Sequence, residues 1–206
     1  MFTLSLVIAY LLGSIPFAYI IGKFYGKDIR KEGSFNPGAS NLGRLLGWKK
    51  FLAAFVLDAA KGAAAVIIGW NLNLDMWQIM AVAVSVIIGH VFPLFLSFRG
   101  GKGVATGAGI FIALNTWALV IALIAWVLIV WGTKYISVAS LLAALTVLVI
   151  QLSQASPWAA GKLPVTILSL LVVVVIFITH IPNLKRLIAG KENKVDFAKF
   201  FKKMAK

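Results

Sequence analysis

The stretch FRGGKGVATGAG, residues 98–109, has the composition of a phosphate-binding loop. Glycines let the backbone approach a ligand closely, and free N–H groups before an apolar helical run can bind an anion, to which Lys102 adds a full charge. The spacing fits neither common nucleotide motif, because Gly103 follows the lysine of a would-be Walker loop and Thr106 replaces the third glycine of a dinucleotide fingerprint. A plain turn carrying a lysine is the alternative. The predicted anion-site residues are Gly100, Gly101, Lys102 and Gly103.

A second polar stretch, GSFNPGASNLGR at residues 33–44, could hold another part of the same ligand. Arg44 can clamp a phosphate through two hydrogen bonds. Ser40 lies in G-x-S-x-x-G, one residue off the nucleophile elbow, and no aspartate is placed to orient a base beside it, so we do not expect a serine nucleophile. A polar surface loop is the alternative. The candidate hydrogen-bonding residues are Ser34, Asn36, Ser40 and Asn41.

Two histidines complete the candidate site. His90 lies in an apolar run about two turns before the glycines, where a polar group is costly unless it has a partner. His180 and Asn183 end the last apolar run, and Pro182 predicts a helix break that could turn both into the same cavity. The alternative for His90 is a histidine bonded to a helix carbonyl. For His180 and Asn183 the alternative is a simple helix-terminating turn.

The scarcity of acids excludes several kinds of chemistry. The chain has only 6 Asp and Glu, and none of their spacings is typical of metal ligands, so an alcohol phosphotransferase that uses two metals and a cluster of aspartates is not expected. Phe95 and Lys185 stand five positions after the histidines, so the H-x4-D dyad of the common glycerolipid acyltransferases is absent. Asp58 and Lys61 are one helical turn apart and are predicted to pair with each other.

The chain that must position these residues is composed like a membrane protein. Of its 206 residues, 61% are hydrophobic and 13% are charged, against about 25% charged in a typical soluble domain. The first apolar run lacks the basic start and cleavage site of a signal peptide, so we predict a retained span. The absence of cysteine excludes disulfides, thiolate metal sites and a thiol acyl carrier.

We predict an all-α polytopic bundle of about seven transmembrane helices, forming a single transmembrane catalytic domain over residues 1–206. Residues 104–114 make a short span. The predicted spans are 2–22, 51–70, 78–98, 104–114, 116–132, 138–152 and 163–181.

The distribution of charge predicts the orientation of this bundle. Of the 20 Lys and Arg, all except Lys61 and Lys162 fall on one face, which the positive-inside rule makes cytoplasmic, with the N-terminus outside and the C-terminus inside. Topology and attraction to anionic membrane lipid therefore account for the net charge of +14, and nucleic acid is not an expected partner.

Aromatic residues mark the membrane surfaces. The basic tail at residues 190–206 is predicted to lie on the lipid as an amphipathic cytoplasmic helix. Its aromatic residues are Phe197, Phe200 and Phe201. The residues that suit the interfacial belt of the outer loops are Trp70, Trp77 and Trp158.

Four stretches resemble the bacterial membrane acyl-phosphate:glycerol-3-phosphate acyltransferases: GSIPFAYIIGK, GSFNPGASNLGR, GHVFPLFLSFRGGKGVATG and THIPNLKRLIAGKE. The resemblance implies a seven-helix protein of the bacterial cytoplasmic (inner) membrane, with its active site facing the cytoplasm and no metal or cofactor. The implied reaction transfers a fatty acyl group from acyl phosphate to the sn-1 hydroxyl of glycerol 3-phosphate. It gives lysophosphatidate and inorganic phosphate, the first step of phospholipid synthesis.

The resemblance also assigns roles by motif. The implied catalytic residues are Ser34, Arg44, His90 and Lys102. The implied substrate-binding residues are Asn36, Ser40, Asn41, Gly100, Gly101, Gly103, Thr106, His180 and Asn183.

Acyl phosphate is a mixed anhydride, so no covalent enzyme intermediate is needed. We expect the glycine loop and Lys102 to hold one phosphate, and Arg44 and Ser34 to span both substrates. His90, His180 or an oxygen of the acyl phosphate could take the proton, and the sequence does not choose among them. Acyl-chain preference and oligomeric state also stay open.

Two other functions compete with this one. A transporter of organic phosphates would use the same cations, but more often with repeated halves and paired broken helices near mid-membrane. A structural or lipid-binding membrane protein would account for the basic tail but not for the spacing in GGKGVATG.

Overall fold

The structure, a computed structural model, describes residues 1–154 and 161–202, and every regular element within those ranges is a helix. A short 3₁₀ turn, Leu94–Leu96, follows α5. The α-helices are α1 (Phe2–Ser14), α2 (Phe17–Phe24), α3 (Ala39–Leu46), α4 (Trp48–Asn71), α5 (Met76–Val91), α6 (Val104–Leu114), α7 (Thr116–Thr133), α8 (Ile136–Ser153), α9 (Leu163–Thr179), α10 (Ile181–Ile188) and α11 (Phe197–Lys202).

Five segments within the described ranges are long and apolar enough to cross a membrane, and the bent pair α9–α10 makes a sixth if it is one span. The five are Phe2–Phe24, Trp48–Asn71, Met76–Leu96, Thr116–Thr133 and Ile136–Ser153. Helix α6 has the predicted bounds, but its 11 residues extend only about 16 Å at 1.5 Å per residue, about half of a bilayer core. The polytopic, all-helical architecture is therefore confirmed, while the seventh span stays a prediction.

Prolines break two of the predicted spans. The predicted span 2–22 consists of two helices, because Pro16 lacks an N–H and the residue before it, Ile15, is extended with φ −67° and ψ 115°. At the other end of the chain, α9 stops at Thr179 and α10 leaves at an angle of 54°, with Pro182 in its first turn. The predicted break at Pro182 is confirmed.

Glycines bring the helices that carry the site into close contact. A Cβ atom at Gly62 of α4 would overlap the carbonyl oxygen of Thr106 on α6, and one at Gly109 of α6 would overlap the carbonyl of Ala59 on α4. Small residues allow this approach between membrane helices. The start of α6 is thereby held beside the middle of α4.

The outer surface of the bundle is apolar. On α7 the side chains of Trp117, Leu128 and Trp131 are 76%, 66% and 73% exposed, a pattern that suits contact with lipid. Trp70 and Trp77 lie exposed at one end of the bundle, whereas Trp158 lies outside the described residues.

The C-terminal segment packs on the bundle. The ring of Phe197 lies 5.6 Å from that of Trp131, and the ring of Phe200 lies 5.9 Å from that of Phe51, measured between centroids. These two aromatic side chains therefore contact protein, and the lipid-surface position of the tail stays a prediction. The side chain of Phe201 and residues 203–206 lie outside the described part of the chain.

Candidate active site

One cavity of about 80 Å³ lies at the end of the bundle where α2, α5, α7 and α9 finish and α4, α6 and α8 begin. The sequence-predicted residues that line it are Ser34, Asn36, Ser40, Asn41, Arg44, His90, Lys102, His180 and Asn183. Three stretches that are far apart in the chain thus meet at one site. Gly100, Gly101, Gly103 and Thr106 are not among the lining residues.

Asn41 at the start of α3 holds the preceding loop in place. Its Oδ1 accepts a hydrogen bond from the Ser34 N–H at 2.8 Å, and its Nδ2 donates to the carbonyls of Ile29 at 2.7 Å and Glu32 at 3.0 Å. Gly33 has φ +66°, and a Cβ atom there would overlap Asn41 Oδ1. The amide group of Asn41 thus holds the loop that carries Ser34, and its contact with substrate stays a prediction.

Arg44 presents a cation to the cavity from the last turn of α3. Its Nε is buried and has no hydrogen-bond partner among the described residues. Burial lowers the pKa of Arg44 from its ordinary value, the negative charge of Glu192 opposes this shift, and the positive charge of Arg186 adds to it. A buried guanidinium with free donors is suited to bind a carboxylate or phosphate in the cavity.

Lys102 is the second cation of the cavity, and a chain of hydrogen bonds fixes it. Its Nζ donates to Asn183 Oδ1, whose Nδ2 donates to Glu192 Oε1 at 2.6 Å. The carbonyl of Lys102 accepts from Thr179 Oγ1 at 3.1 Å, which ties the loop to the end of α9. Burial lowers the pKa of Lys102 to about 8; the charge of Glu192 opposes the shift, and the charges of Arg186 and Arg44 add to it.

Glu192 is hydrogen-bonded to a residue of the cavity lining and was not among the residues predicted for the site. It is 6% exposed and accepts hydrogen bonds from Ser137 Oγ at 2.9 Å and Arg186 Nε at 2.8 Å, besides the one from Asn183. Burial raises the pKa of Glu192, but the hydrogen bonds from Asn183, Ser137 and Arg186 outweigh burial and keep it below the ordinary value. Glu192 therefore stays charged and aligns Asn183 with Lys102.

The elbow glycines do not form the predicted amide cradle. The N–H of Gly100 donates to Val91 O at 3.0 Å and that of Gly101 to His90 O at 3.1 Å, so both are used within the protein. A Cβ atom at Gly100 would overlap His90 O, and one at Gly101 would overlap His90 Nε2. Glycine is required at these two positions by close packing on His90.

The start of α6 borders the cavity. Gly103, with φ +84°, caps α6 without any side-chain hydrogen bond, and Val104 and Ala105 of its first turn line the cavity. The unpaired N–H groups and dipole of a helix N-terminus favour an anion there. Thr106 is fully buried where α6 packs on α4, and its Oγ1 has no partner in the described part of the chain.

The two histidines have different surroundings. His180 Nδ1 donates to Ile176 O at 2.8 Å, and the His180 ring lines the cavity. His90 Nδ1 lies 3.7 Å from Asp58 Oδ1. Both side chains are buried, at 3% and 9% exposed.

An apolar cavity of about 280 Å³ adjoins the cationic one. It extends between α4, α6, α7, α8 and α9, and it was not predicted from the sequence. The residues that line both cavities are Phe51, Phe55, Val104, Trp126 and Ser140. A ligand can therefore place a phosphate group in the cationic cavity and a long apolar tail in the apolar cavity, with the residues that line both cavities at the junction.

A family model described as glycerol-3-phosphate acyltransferase matches residues 3–190. This chain belongs to the glycerol-3-phosphate acyltransferase family. The glycerol-3-phosphate acyltransferase 2 of Moorella thermoacetica is 40% identical over 196 residues, covering 95% of this chain and 98% of the relative.

Solved structures agree with the family. The crystal structure of PlsY (YgiH), an integral membrane glycerol 3-phosphate acyltransferase, in its glycerol 3-phosphate form superposes with a TM-score of 0.87 at 31% identity, covering 94% of this chain and 95% of that one. Its lysophosphatidic acid form gives a TM-score of 0.85 at 30% identity, covering 97% of each chain. This glycerol-3-phosphate acyltransferase is thus a multi-pass membrane enzyme, and the transporter and structural readings fall away.

Proposed function

We propose that this acyltransferase uses acyl phosphate as donor and transfers its acyl group to the sn-1 hydroxyl of glycerol 3-phosphate. The products are lysophosphatidate and inorganic phosphate. The observation that carries this proposal is the shared boundary between a cavity lined by two partly buried cations, Arg44 and Lys102, and an apolar cavity of about 280 Å³. The glycerol 3-phosphate and lysophosphatidic acid forms of PlsY support the acceptor and the product.

Arg44, Lys102 and the start of α6 hold the two phosphate groups close together, and their positive charges offset the repulsion between them. Ser34 lies beside them and donates to a phosphate or hydroxyl oxygen. The acyl chain lies in the apolar cavity, so the carbonyl carbon sits near Phe51 and Trp126, which line both cavities. Positioning of two anionic reactants is the main contribution of the protein to the rate.

In the reaction the hydroxyl oxygen attacks the carbonyl carbon, a new ester C–O bond forms, and the C–O bond to the phosphate breaks. The electron pair leaves on the phosphate oxygen. The hydroxyl proton goes to the departing phosphate, to His180 or to His90. The Nδ1–H of His180 is held by Ile176 O, which leaves Nε2 as the acceptor on that ring.

The orientation of the enzyme is part of the proposal. We place the N-terminus outside, the C-terminus inside and the cavity at the cytoplasmic face of the bacterial inner membrane. Helix α6 is then counted as a transmembrane span, which brings the number of spans to seven, and residues 1–206 form one catalytic domain. Because the chain has no cysteine, single cysteines introduced at exposed positions test this cleanly. In intact spheroplasts an impermeant maleimide should label Asn73→Cys, and should label Lys49→Cys only after permeabilisation; the reverse pattern would invert the topology.

The experiment that tests the reaction is incubation of the purified protein with acyl phosphate, glycerol 3-phosphate or both, with free phosphate measured. We expect phosphate and lysophosphatidate in equal amounts only when both substrates are present. Transfer from an acyl thioester at the same rate, with none from acyl phosphate, would overturn the assignment of the donor. Positional analysis of the product then tests the sn-1 hydroxyl.

A further inference from the structure

Asp58 and Lys61 form a charged pair in the middle of α4, and each residue is 2% exposed. The predicted pairing is confirmed, with 2.8 Å between Lys61 Nζ and Asp58 Oδ1. Lys61 Nζ also donates to Gly13 O at 2.8 Å and Ile15 O at 3.0 Å, carbonyls that the end of α1 leaves without helical partners. Two hydrogen bonds of Lys61 thus join α4 to the α1–α2 break, while its ammonium pairs with Asp58 on α4 itself.

Asp58 faces the active site on its other side. It lines the cationic cavity, and its Oδ1 lies 3.7 Å from His90 Nδ1. The opposite nitrogen of His90, Nε2, lies against the backbone of Gly101, since a Cβ atom at residue 101 would overlap it. The His90 ring is therefore held between Asp58 and the residue that precedes Lys102 in the chain.

A small cavity joins the same elements. It has a volume of about 10 Å³ and is lined by Asp58, Lys61, His90, Gly100 and Gly101, together with residues of the α1–α2 break. The charged pair, the His90 ring and the elbow therefore surround one small cavity.

We propose that Asp58 and Lys61 are positioning residues of this acyltransferase. They fix the His90 ring, the elbow at Gly101 packs on that ring, and the elbow sets the position of Lys102 in the cavity. The inference rests on the proposed role of Lys102 as a phosphate ligand. A displacement of such a ligand by about 1 Å is enough to lower a rate about 10²-fold. The competing explanation is a pair that only stabilises the packing of α1 on α4.

A double-mutant cycle between Asp58→Asn and Lys102→Ala separates the two explanations. If Asp58 acts through Lys102, Asp58→Asn should lower kcat/KM for glycerol 3-phosphate about tenfold to a hundredfold in the wild-type background. In the Lys102→Ala background it should lower kcat/KM by about twofold at most, because the residue it positions is already gone. An equal loss in both backgrounds, or no loss in the wild type, overturns the inference.

Two further variants control for folding. Asp58→Asn leaves Lys61 as a buried unpaired charge, which is strongly destabilising, so the neutral pair Asp58→Asn/Lys61→Met is tested beside it. Wild-type kcat/KM in that double variant would also overturn the inference. The matched control is Gln151→Leu, which removes the buried 2.9 Å hydrogen bond from Asn115 far along α8 from the cavity. It should lower the thermal unfolding midpoint and leave kcat/KM within about twofold of wild type in both backgrounds.

Failure of the proposed reaction can be distinguished from failure of the positioning role. If wild-type protein releases no phosphate from acyl phosphate and glycerol 3-phosphate, the proposed donor is wrong. The cycle is then measured with the donor that does react, because it tests the link to Lys102 and not the donor. If wild-type protein turns over acyl phosphate and the cycle is additive, only the positioning role fails.

Discussion

The pH dependence of turnover should report the charge on Lys102. Burial lowers its pKa from 10.5 to about 8, with Glu192 opposing the shift and Arg186 and Arg44 adding to it. The amine is a cation below that pKa, so its attraction for a phosphate is present at lower pH and is lost as the pH rises through about 8. Because kcat/KM reports the free enzyme, its descending limb should fall at this pKa.

The size of the effect follows from that value. With a pKa of about 8, about nine-tenths of the molecules carry protonated Lys102 at pH 7 and about one-tenth at pH 9. If only the protonated form holds the phosphate, kcat/KM for glycerol 3-phosphate falls about tenfold between those two pH values. Lys102→Arg keeps its charge up to about pH 12, so it should lose the descending limb whatever its rate at pH 7.

A second variant moves the limb in a known direction. The negative charge of Glu192 raises the pKa of Lys102, so Glu192→Gln should move the descending limb to lower pH. Glutamine keeps an oxygen that can accept the hydrogen bonds from Asn183 and Ser137. The matched control is Lys49→Gln, which removes an exposed cation at the same end of the bundle and should leave the limb in place.

The assay is the initial rate of phosphate release from acyl phosphate in detergent, with glycerol 3-phosphate well below its KM and an enzyme-free blank subtracted. Profiles run from about pH 6 to about pH 10, so that both sides of the limb are recorded. A wild-type profile that is flat to about pH 9.5, or a Lys102→Arg variant with the wild-type limb, would refute the reasoning.

Three other substitutions test separate parts of the site. Arg44→Ala should lower kcat/KM about 10²-fold, because it removes a buried guanidinium with a free donor, and a near-normal rate would contradict that role. Asn41→Ala should lower the free energy of unfolding by about 1–3 kcal/mol, since it strands buried backbone groups of the loop; chemical denaturation measures this, and unchanged stability would contradict it. Ala143→Phe, in the apolar cavity, should raise KM for long-chain acyl phosphates and much less for short-chain ones, whereas equal effects on both would place the acyl chain elsewhere.

The length of the apolar runs predicted the long membrane helices well and the short polar helices not at all. The predicted spans 51–70, 116–132 and 138–152 differ by a few residues from α4, α7 and α8. Helices α3 and α10 were not predicted, because each has only 8 residues and a largely polar composition, and so short a helix depends on packing that the local sequence does not reveal. Pro182 was a sufficient local signal for the bend of α9, and Pro16 carried the same signal for α1 without being used.

The site was predicted where it depends on residue type and missed where it depends on packing. Cationic and amide residues at one end of the spans indicated the cavity, and the structure brings Arg44, His90 and Lys102 to its lining. Gly100 and Gly101 have the composition of an anion loop, yet their N–H groups bond to the end of α5, and no sequence pattern distinguishes these two uses of glycine. Glu192 lies in a basic tail, where only the general scarcity of acids could have drawn attention to it.

The positions of the buried acids follow from the electrostatics of an anion site. The charge of Arg186 lowers the pKa of both Lys102 and Arg44, and Arg44 lowers that of Lys102 further, so these cations repel one another across the site. The negative charge of Glu192 reduces this repulsion. Its carboxylate accepts hydrogen bonds from Arg186, Ser137 and Asn183, and Glu192 does not line the cavity.

Asp58 does line the cavity, and there Lys61 compensates its charge at 2.8 Å. In both cases the acid is neutralised locally and the hydrogen-bonding capacity of Arg44 is left free for a substrate. In the proposed reaction, two phosphate groups would meet cations whose mutual repulsion is already reduced by nearby acids, which is the preorganisation that transfer between two anions requires.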